Sequence, residues 1–315
     1  MKAEFKPKTR FEVSDINRIV AANPDYIGQC EENYLARVNA VADAVVASGC
    51  SIVMVSGPSA SGKTTSSKKL AVALRTRGHQ AVVVSLDDFF RNIENYPKND
   101  RGEPDLEHVG AVDIDCVNET LGALLTEGCC ELPQFDFVAQ RRRPETRRLT
   151  LEPGGFAIIE GIHALNPLLS ERIPQDRVFR LYVGLRNEYY RNGARVVNTR
   201  DLRIIRRMVR DYYFRGYKVE DTLRVWSDMM EGEEIWIKPF KEISNMLLDT
   251  SFPYEPCVFR PILEKLAADE AEGGACRDTM LRLCALTEQF DPLPVEDVPR
   301  GSMLREFLGG LELPE

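Results

Sequence analysis

The chain has no apolar run long enough to span a bilayer. Its basic start, Met1 to Arg10, is followed by charged residues rather than by the apolar stretch of a secretory leader. Eight cysteines are scattered without a Cys-x-x-Cys pair, and only Cys129 and Cys130 are adjacent. That spacing suits neither a zinc cage nor a disulfide framework, so reduced, mostly buried thiols in a cytoplasmic chain are expected. No excess of positive charge is present, because the formal net charge is -8. Nucleic acid is therefore not an expected partner, and each local basic cluster needs its own explanation. No internal repeat is visible either.

What is present is a chain of 315 residues, 43% hydrophobic and 29% charged, enough for one large α/β domain with extensions or for two domains. Residues 1 to about 48 read as an N-terminal extension with a helix from Glu31 to Ala47. Apolar strands then alternate with helices: strands over 51–56, 80–86, 155–160 and 178–183, and helices over 63–77 and about 112–127. This alternation predicts a parallel sheet wrapped on both faces. Asn198 to about Glu234, dense in Arg and aromatic residues, reads as a helix pair projecting from the core. Pro256 and Pro261 read as a boundary, Ile262 to Gln289 as helical, and Phe290 to Pro299 as a Pro-rich linker.

Gly57 to Thr64 spell GPSASGKT between a strand and a helix. Gly57 and Gly62 allow the tight wrap that points successive N–H groups and a helix N-terminus at an anion. Ser59, Ala60, Ser61 and Thr65 complete this phosphate cradle. Lys63 is placed to reach the β- and γ-phosphates of a nucleotide, and Thr64 to offer Mg²⁺ a hydroxyl. Ligands of parallel sheets lie beyond the strand carboxyl ends, where Asp87 and Glu160 fall. A phosphotransferase needs a carboxylate to take the acceptor's proton, which suits Asp87, and acids to hold Mg²⁺, which suits Glu160 with Asp87 nearby. Arg203, Arg206, Arg207, Arg210 and Arg215 lie on one helix and its exit. Arg203, Arg207 and Arg210 are spaced to share a face suited to a phosphate, although pairing with Asp201, Asp211 and Glu220 would account for them equally well. Arg141 to Arg143, with Arg147 and Arg148, reads as surface charge.

Several motifs stand in order: LDDFFR at 86–91, DLEHVGAVD at 105–113, LPQFDF at 132–137, IIEGIHALNP at 158–167 and RRMVRDYYFRG at 206–216. Together with the P-loop they resemble the uridine kinase and phosphoribulokinase family of P-loop kinases over roughly Ser51 to Arg260. The resemblance implies a P-loop NTPase-type sheet with an Arg-rich lid over about 198–234. It divides the chain into an extension (1–48), a kinase domain (49–261) and a helical C-terminal extension (262–315). It makes Asp87 the catalytic aspartate and sets Glu107 against ribose hydroxyls, with Phe135 and Phe137 at a nucleobase. Arg207 becomes a substrate contact, and Arg210 and Arg215 become lid arginines facing phosphates. Gln140 stands where nucleoside kinases carry a base-reading His, Tyr217 replaces an Arg, and Phe90 replaces a Tyr. VPRGSMLREFLGG, at 298–310, resembles the ends of long bacterial uridine kinase-like chains.

The resulting expectation is an ATP- or other NTP-dependent, Mg²⁺-dependent kinase for the 5'-hydroxyl of uridine or cytidine. Gln140 and Tyr217 keep open a sugar, polyol or pantothenate-like acceptor. The unexplained extensions keep open a nucleotide-dependent regulatory module, and a homo-oligomer is also left open. His108 and His163 are expected to be structural rather than catalytic.

Overall fold

A computed structural model describes residues 7–269 and 275–313. Met1 to Lys6 and residues 270–274, which fall within the stretch expected to be helical, lie outside the described residues, as do 314 and 315. The N-terminal stretch is more ordered than a single helix. It opens with strand β1 (Thr9–Glu12) and helix α1 (Val13–Ala22), then runs through the long α2 (Tyr26–Ser48), which begins five residues before the expected start. Gly49, at φ 71°, ends α2 in the left-handed region that glycine adopts without strain.

The core follows as β2 (Ile52–Ser56), α3 (Lys63–Thr76), β3 (Ala81–Ser85), α4 (Ile114–Thr126), β8 (Phe156–Glu160) and β9 (Val178–Gly184). Between α4 and β8 lie four short strands forming two antiparallel pairs: β4 (Cys129–Leu132) with β7 (Arg147–Thr150), and β5 (Phe135–Asp136) with β6 (Arg141–Arg142). Beyond β9 come β10 (Asn187–Arg191), β11 (Ala194–Val197), α5 (Thr199–Arg215), α6 (Val219–Trp236) and β12 (Met246–Asp249). The main sheet has five parallel strands in the order β12-β9-β2-β8-β3. β2 and β8 are buried at every residue because both faces of the sheet are covered, which is why they read as unbroken apolar runs. Val53, Val55 and Ile158 face a core built with α2, α3, α5 and α7 (Glu255–Asp269). Ile52, Met54 and Ile159 face the opposite core with Val117 and Leu121 of α4. Each such aliphatic side chain contributes roughly 1.5–3 kcal/mol when fully buried.

Three expectations are corrected. The first helix of the pair does not project: Leu202, Ile205 and Met208 of α5 are fully buried, because the apolar face of this helix, started by the Asn198/Asp201 capping box, packs into the core beside α7. Pro256 and Pro261 do not interrupt the chain, since α7 runs through both with Val258, Phe259 and Leu263 in the core. The sheet also has a strand, β12, that lacked a visible signal because it is only four residues long.

The chain ends by returning to the core. Helix α8 (Ala275–Thr287) leads into an irregular stretch and the single turn α9 (Arg305–Leu308). The buried Glu31 carboxylate of α2 accepts from Tyr254 Oη at 2.7 Å and from Ser302 Oγ at 2.5 Å, tying three distant segments together. Beside it, the fully buried Arg206 of α5 pairs with Glu255 of α7 at 2.7 Å and lies 5.2 Å over the ring of Phe307. Among the described residues no helix is long and apolar enough to cross a membrane.

Candidate functional site

The P-loop bridges the carboxyl end of β2 and the first turn of α3. An added Cβ on Gly57 would lie 2.0 Å from the Val183 carbonyl oxygen, so only glycine lets the loop cross the end of β9. Ala60 and Gly62 take positive φ values of 58° and 83°, which turn backbone N–H groups inward. Neighbours hold this shape: Thr250 Oγ1 donates to the Ser61 carbonyl at 2.6 Å, and Arg203 Nε donates to the Ser59 carbonyl at 2.8 Å. Lys63 Nζ folds back onto the Pro58 carbonyl at 3.0 Å.

A cavity of about 250 Å³ opens beside the loop, lined by Ser59, Ala60, Gly62, Lys63 and Thr64 on one side. Asp87, Phe90, Glu107 and Glu160 line the other side, and Arg207, Arg210, Arg215 and Glu306 close it. The carboxyl ends of β3 and β8 deliver Asp87 and Glu160, as the parallel topology requires. Thr64 Oγ1 donates to Glu160 Oε1 at 3.2 Å, and Ser85 Oγ donates to the same oxygen at 3.4 Å. Burial raises the Glu160 carboxyl and Lys63 opposes the rise. Asp87 is open to the cavity's solvent yet enclosed by protein behind, and that desolvation lifts its carboxyl, offset by Lys63. Burial lowers the Lys63 ammonium, against the pull of Glu160, Glu306 and Asp87. These four charges therefore sense one another across one small space. Among the described residues no group of three His, Cys, Asp or Glu side chains could hold a metal without help.

The arginines divide. Asp211 gathers Arg207 (3.2 Å), Arg210 (3.0 Å) and Arg215 (3.5 Å), and Arg207 Nη1 also donates to Ser59 Oγ at 2.7 Å. Arg203 and Arg206 do not line the cavity. Arg203 is buried against Glu233 and Arg206 against Glu255, because i+3 and i+4 spacing on a packed helix turns some cations inward. Arg142, expected at the surface, instead donates to the Phe89 and Phe90 carbonyls at 2.9 and 3.0 Å, bracing the turn that carries Asp87. Glu107 lies against Gly232 of α6, and burial pushes its carboxyl up to about 7 although Arg207 opposes this.

Four expected substrate residues lie off the cavity wall. Phe135 packs edge-on behind Phe90 at 5.8 Å, and Phe137 beyond it is 61% exposed. Gln140 sits at φ 52° on the outer end of the β5–β6 hairpin with its side chain in solvent, its carbonyl accepting from Ile93 N. Tyr217, just past the end of α5, is 55% exposed. Gly57, Ser61 and Thr65 form the loop's frame rather than the cavity wall. His108 Nδ1 accepts from Gly110 N and its ring packs at 4.3 Å from Trp236, a structural arrangement, while burial holds His163 neutral with its pKa pushed down to about 4.

The largest surprise comes from the tail. Thr65 N and Oγ1 donate to Glu306 Oε2 at 3.2 and 2.6 Å, so a carboxylate already sits on the first turn of α3. Met303 covers Gly62, where an added Cβ would fall 2.4 Å from its sulfur. No local spacing signals a contact between residues 241 positions apart.

A family model described as "Phosphoribulokinase / Uridine kinase family" matches residues 52–251. A uridine kinase of Staphylococcus haemolyticus is 27% identical over 199 residues, 62% of this chain and 86% of that protein. A uridine kinase of Halobacterium salinarum is 25% identical over 195 residues, 62% of this chain and 77% of that protein. A solved structure from Silicibacter sp. TM1040, provisionally assigned as a fructose transport system kinase, shares the fold. It has 21% identity and a TM-score of 0.50 over 67% of this chain and 98% of that one.

Proposed function

Because the chain belongs to the phosphoribulokinase/uridine kinase family and is thus a phosphotransferase with an alcohol acceptor, we propose that it transfers the γ-phosphate of ATP to the 5'-hydroxyl of uridine or cytidine. In this reading the P-loop amides and Lys63 hold the triphosphate, while Arg207, Arg210 and Arg215 neutralise its charge. Asp87 accepts the hydroxyl proton as the acceptor oxygen bonds to the γ-phosphorus and the bridging oxygen leaves with ADP. Thr64 and Glu160, with Asp87 across the cavity, would hold Mg²⁺. A hydroxyl and one or two carboxylates suit this ion, which keeps waters and takes its remaining oxygens from phosphates rather than from a protein cage. Bound there, Mg²⁺ would supply positive charge against the transferring phosphates.

The observation that carries the reading is the shared cavity of Lys63, Thr64, Asp87 and Glu160 at the carboxyl ends of β2, β3 and β8. The uridine kinases among its relatives favour the nucleoside acceptor. Gln140 and Tyr217, both off the cavity wall, favour the second reading, a sugar, polyol or pantothenate-like alcohol. Measuring ADP release with a panel of alcohols separates the two. Uridine or cytidine should stimulate release strongly, and Asp87→Asn should reduce turnover at least about a hundredfold while leaving ATP affinity nearly unchanged. Stimulation by a sugar or polyol alone selects the second reading, and undiminished turnover in Asp87→Asn removes Asp87 from the mechanism.

A further inference from the structure

Helix α3 begins without a cap of its own. Gly62 stands at its N-cap with no side chain to offer, which leaves N–H groups of the first turn to outside partners. Glu306 fills that role from α9, accepting from both Thr65 N and Thr65 Oγ1. The positive end of the helix favours a carboxylate there, and for the same reason a nucleotide phosphate in the cradle would compete with it. α9 itself is too firmly held to carry the carboxylate away. Phe307 and Leu308 are buried, and Arg305 of the same turn donates to the Val295 and Val298 carbonyls at 2.9 and 3.1 Å. Gly309 lies so close to Phe214 of α5 that an added Cβ would fall 2.4 Å from the ring. The side chain of Glu306, partly exposed, can still turn on this fixed backbone.

A displaced Glu306 therefore keeps its charge inside the cavity, among the cations that line it. It acts electrostatically on two of them, Lys63 and Arg215. Lys63 would be taken by the phosphates. Arg215 is half-exposed and lies 3.5 Å from Asp211, a carboxylate that also holds Arg207 and Arg210 more closely, at 3.2 and 3.0 Å. With one acid shared among three guanidiniums, Arg215 is the least tightly held of the three and the natural partner for a second carboxylate. We infer that Glu306 is a tethered stand-in for a nucleotide phosphate: a nucleotide in the P-loop turns its carboxylate from Thr65 to Arg215, which it then holds at the cavity. Glu306 is in this sense a positioning residue that acts through Arg215. The inference rests on the placement of ATP proposed above.

The test is a double-mutant cycle on ATP binding, titrated calorimetrically into the full-length chain without an alcohol, so it does not depend on which acceptor is phosphorylated. In a chain that keeps Arg215, Glu306→Ala removes the carboxylate from both of its positions. Where Arg215→Gln has already abolished the second position, it removes the carboxylate from Thr65 alone. The gain in ATP affinity on Glu306→Ala should therefore be at least about fivefold larger in the Arg215→Gln background, a coupling of the size found for residues in contact. Glu306→Gln, which keeps the size of the side chain and discards its charge, should show the same dependence in smaller measure if alanine loosens the packing of α9. Equal gains in the two backgrounds would mean that the displaced carboxylate goes to water, and would overturn the inference while leaving the donor site intact. Failure of the unsubstituted protein to bind ATP would instead overturn the placement of the donor, and the inference with it.

Discussion

Glu107 is a cavity group whose carboxyl burial pushes up to about 7. A raised carboxyl is protonated below that value and becomes a hydrogen-bond acceptor above it. If it receives acceptor hydroxyls, the KM for the alcohol should fall as pH rises from about 6 to about 8. Glu107→Gln should flatten that profile, and a KM step that persists in the variant would assign the titration elsewhere. Gly232 sets this group's position, since a Cβ there would come 2.4 Å from the Glu107 Cβ. At this scale the sequence was informative where chemistry is encoded by neighbours in the chain. The P-loop, Asp87 and Glu160 each follow a strand end, and all reach one cavity except Pro58 and the frame residues Gly57, Ser61 and Thr65. Gln140 and Tyr217 were legible only by alignment with motifs, which fixes a position along the chain but not the direction a hairpin or helix exit leans.

Among the elements, α9 has the clearest functional consequence. Its Glu306 occupies the backbone N–H and hydroxyl of Thr65, donors at the positive end of α3 that a nucleotide phosphate would also seek. A phosphate and this carboxylate could not use them at once, so a nucleotide bound there would have to displace Glu306. Glu306→Ala should therefore tighten ATP binding by about tenfold or more, since a hydrogen bond to a charged group is worth roughly 1.5–3 kcal/mol. Isothermal titration of the full chain checks this, and an unchanged Kd would show that the carboxylate offers no competition. Nothing in REFL announces the contact; it exists only because the chain end folds back over α3. The arginines of α5 were only partly legible for a related reason. A run dense in arginine looks solvent-facing, yet Arg203 and Arg206 are buried because Glu233 and Glu255, supplied by α6 and α7, neutralise them.

Across the whole molecule, those long-range partners decide stability. Removing Glu255 leaves the guanidinium of Arg206 buried without its counter-charge. Glu255→Ala should then cost about 3–5 kcal/mol of unfolding free energy, measured by denaturant titration. A loss below about 1 kcal/mol would mean that the Thr250 carbonyl and the Phe307 ring suffice for the cation. The parallel sheet and its helices were readable from apolar runs and their alternation. The packing of both chain ends was not, because amphipathic helices state that they have an apolar face without stating what covers it. The meeting of Tyr254 and Ser302 at Glu31 has a practical corollary. A protein trimmed to the stretch shared with its relatives, 52–251, would retain every wall of the reaction chamber except Glu306. Stripped of α2 and α7, it would bare one greasy side of its sheet and clump instead of turning over. Homology here outlines the chemistry and understates the amount of polypeptide that must be made for it to work.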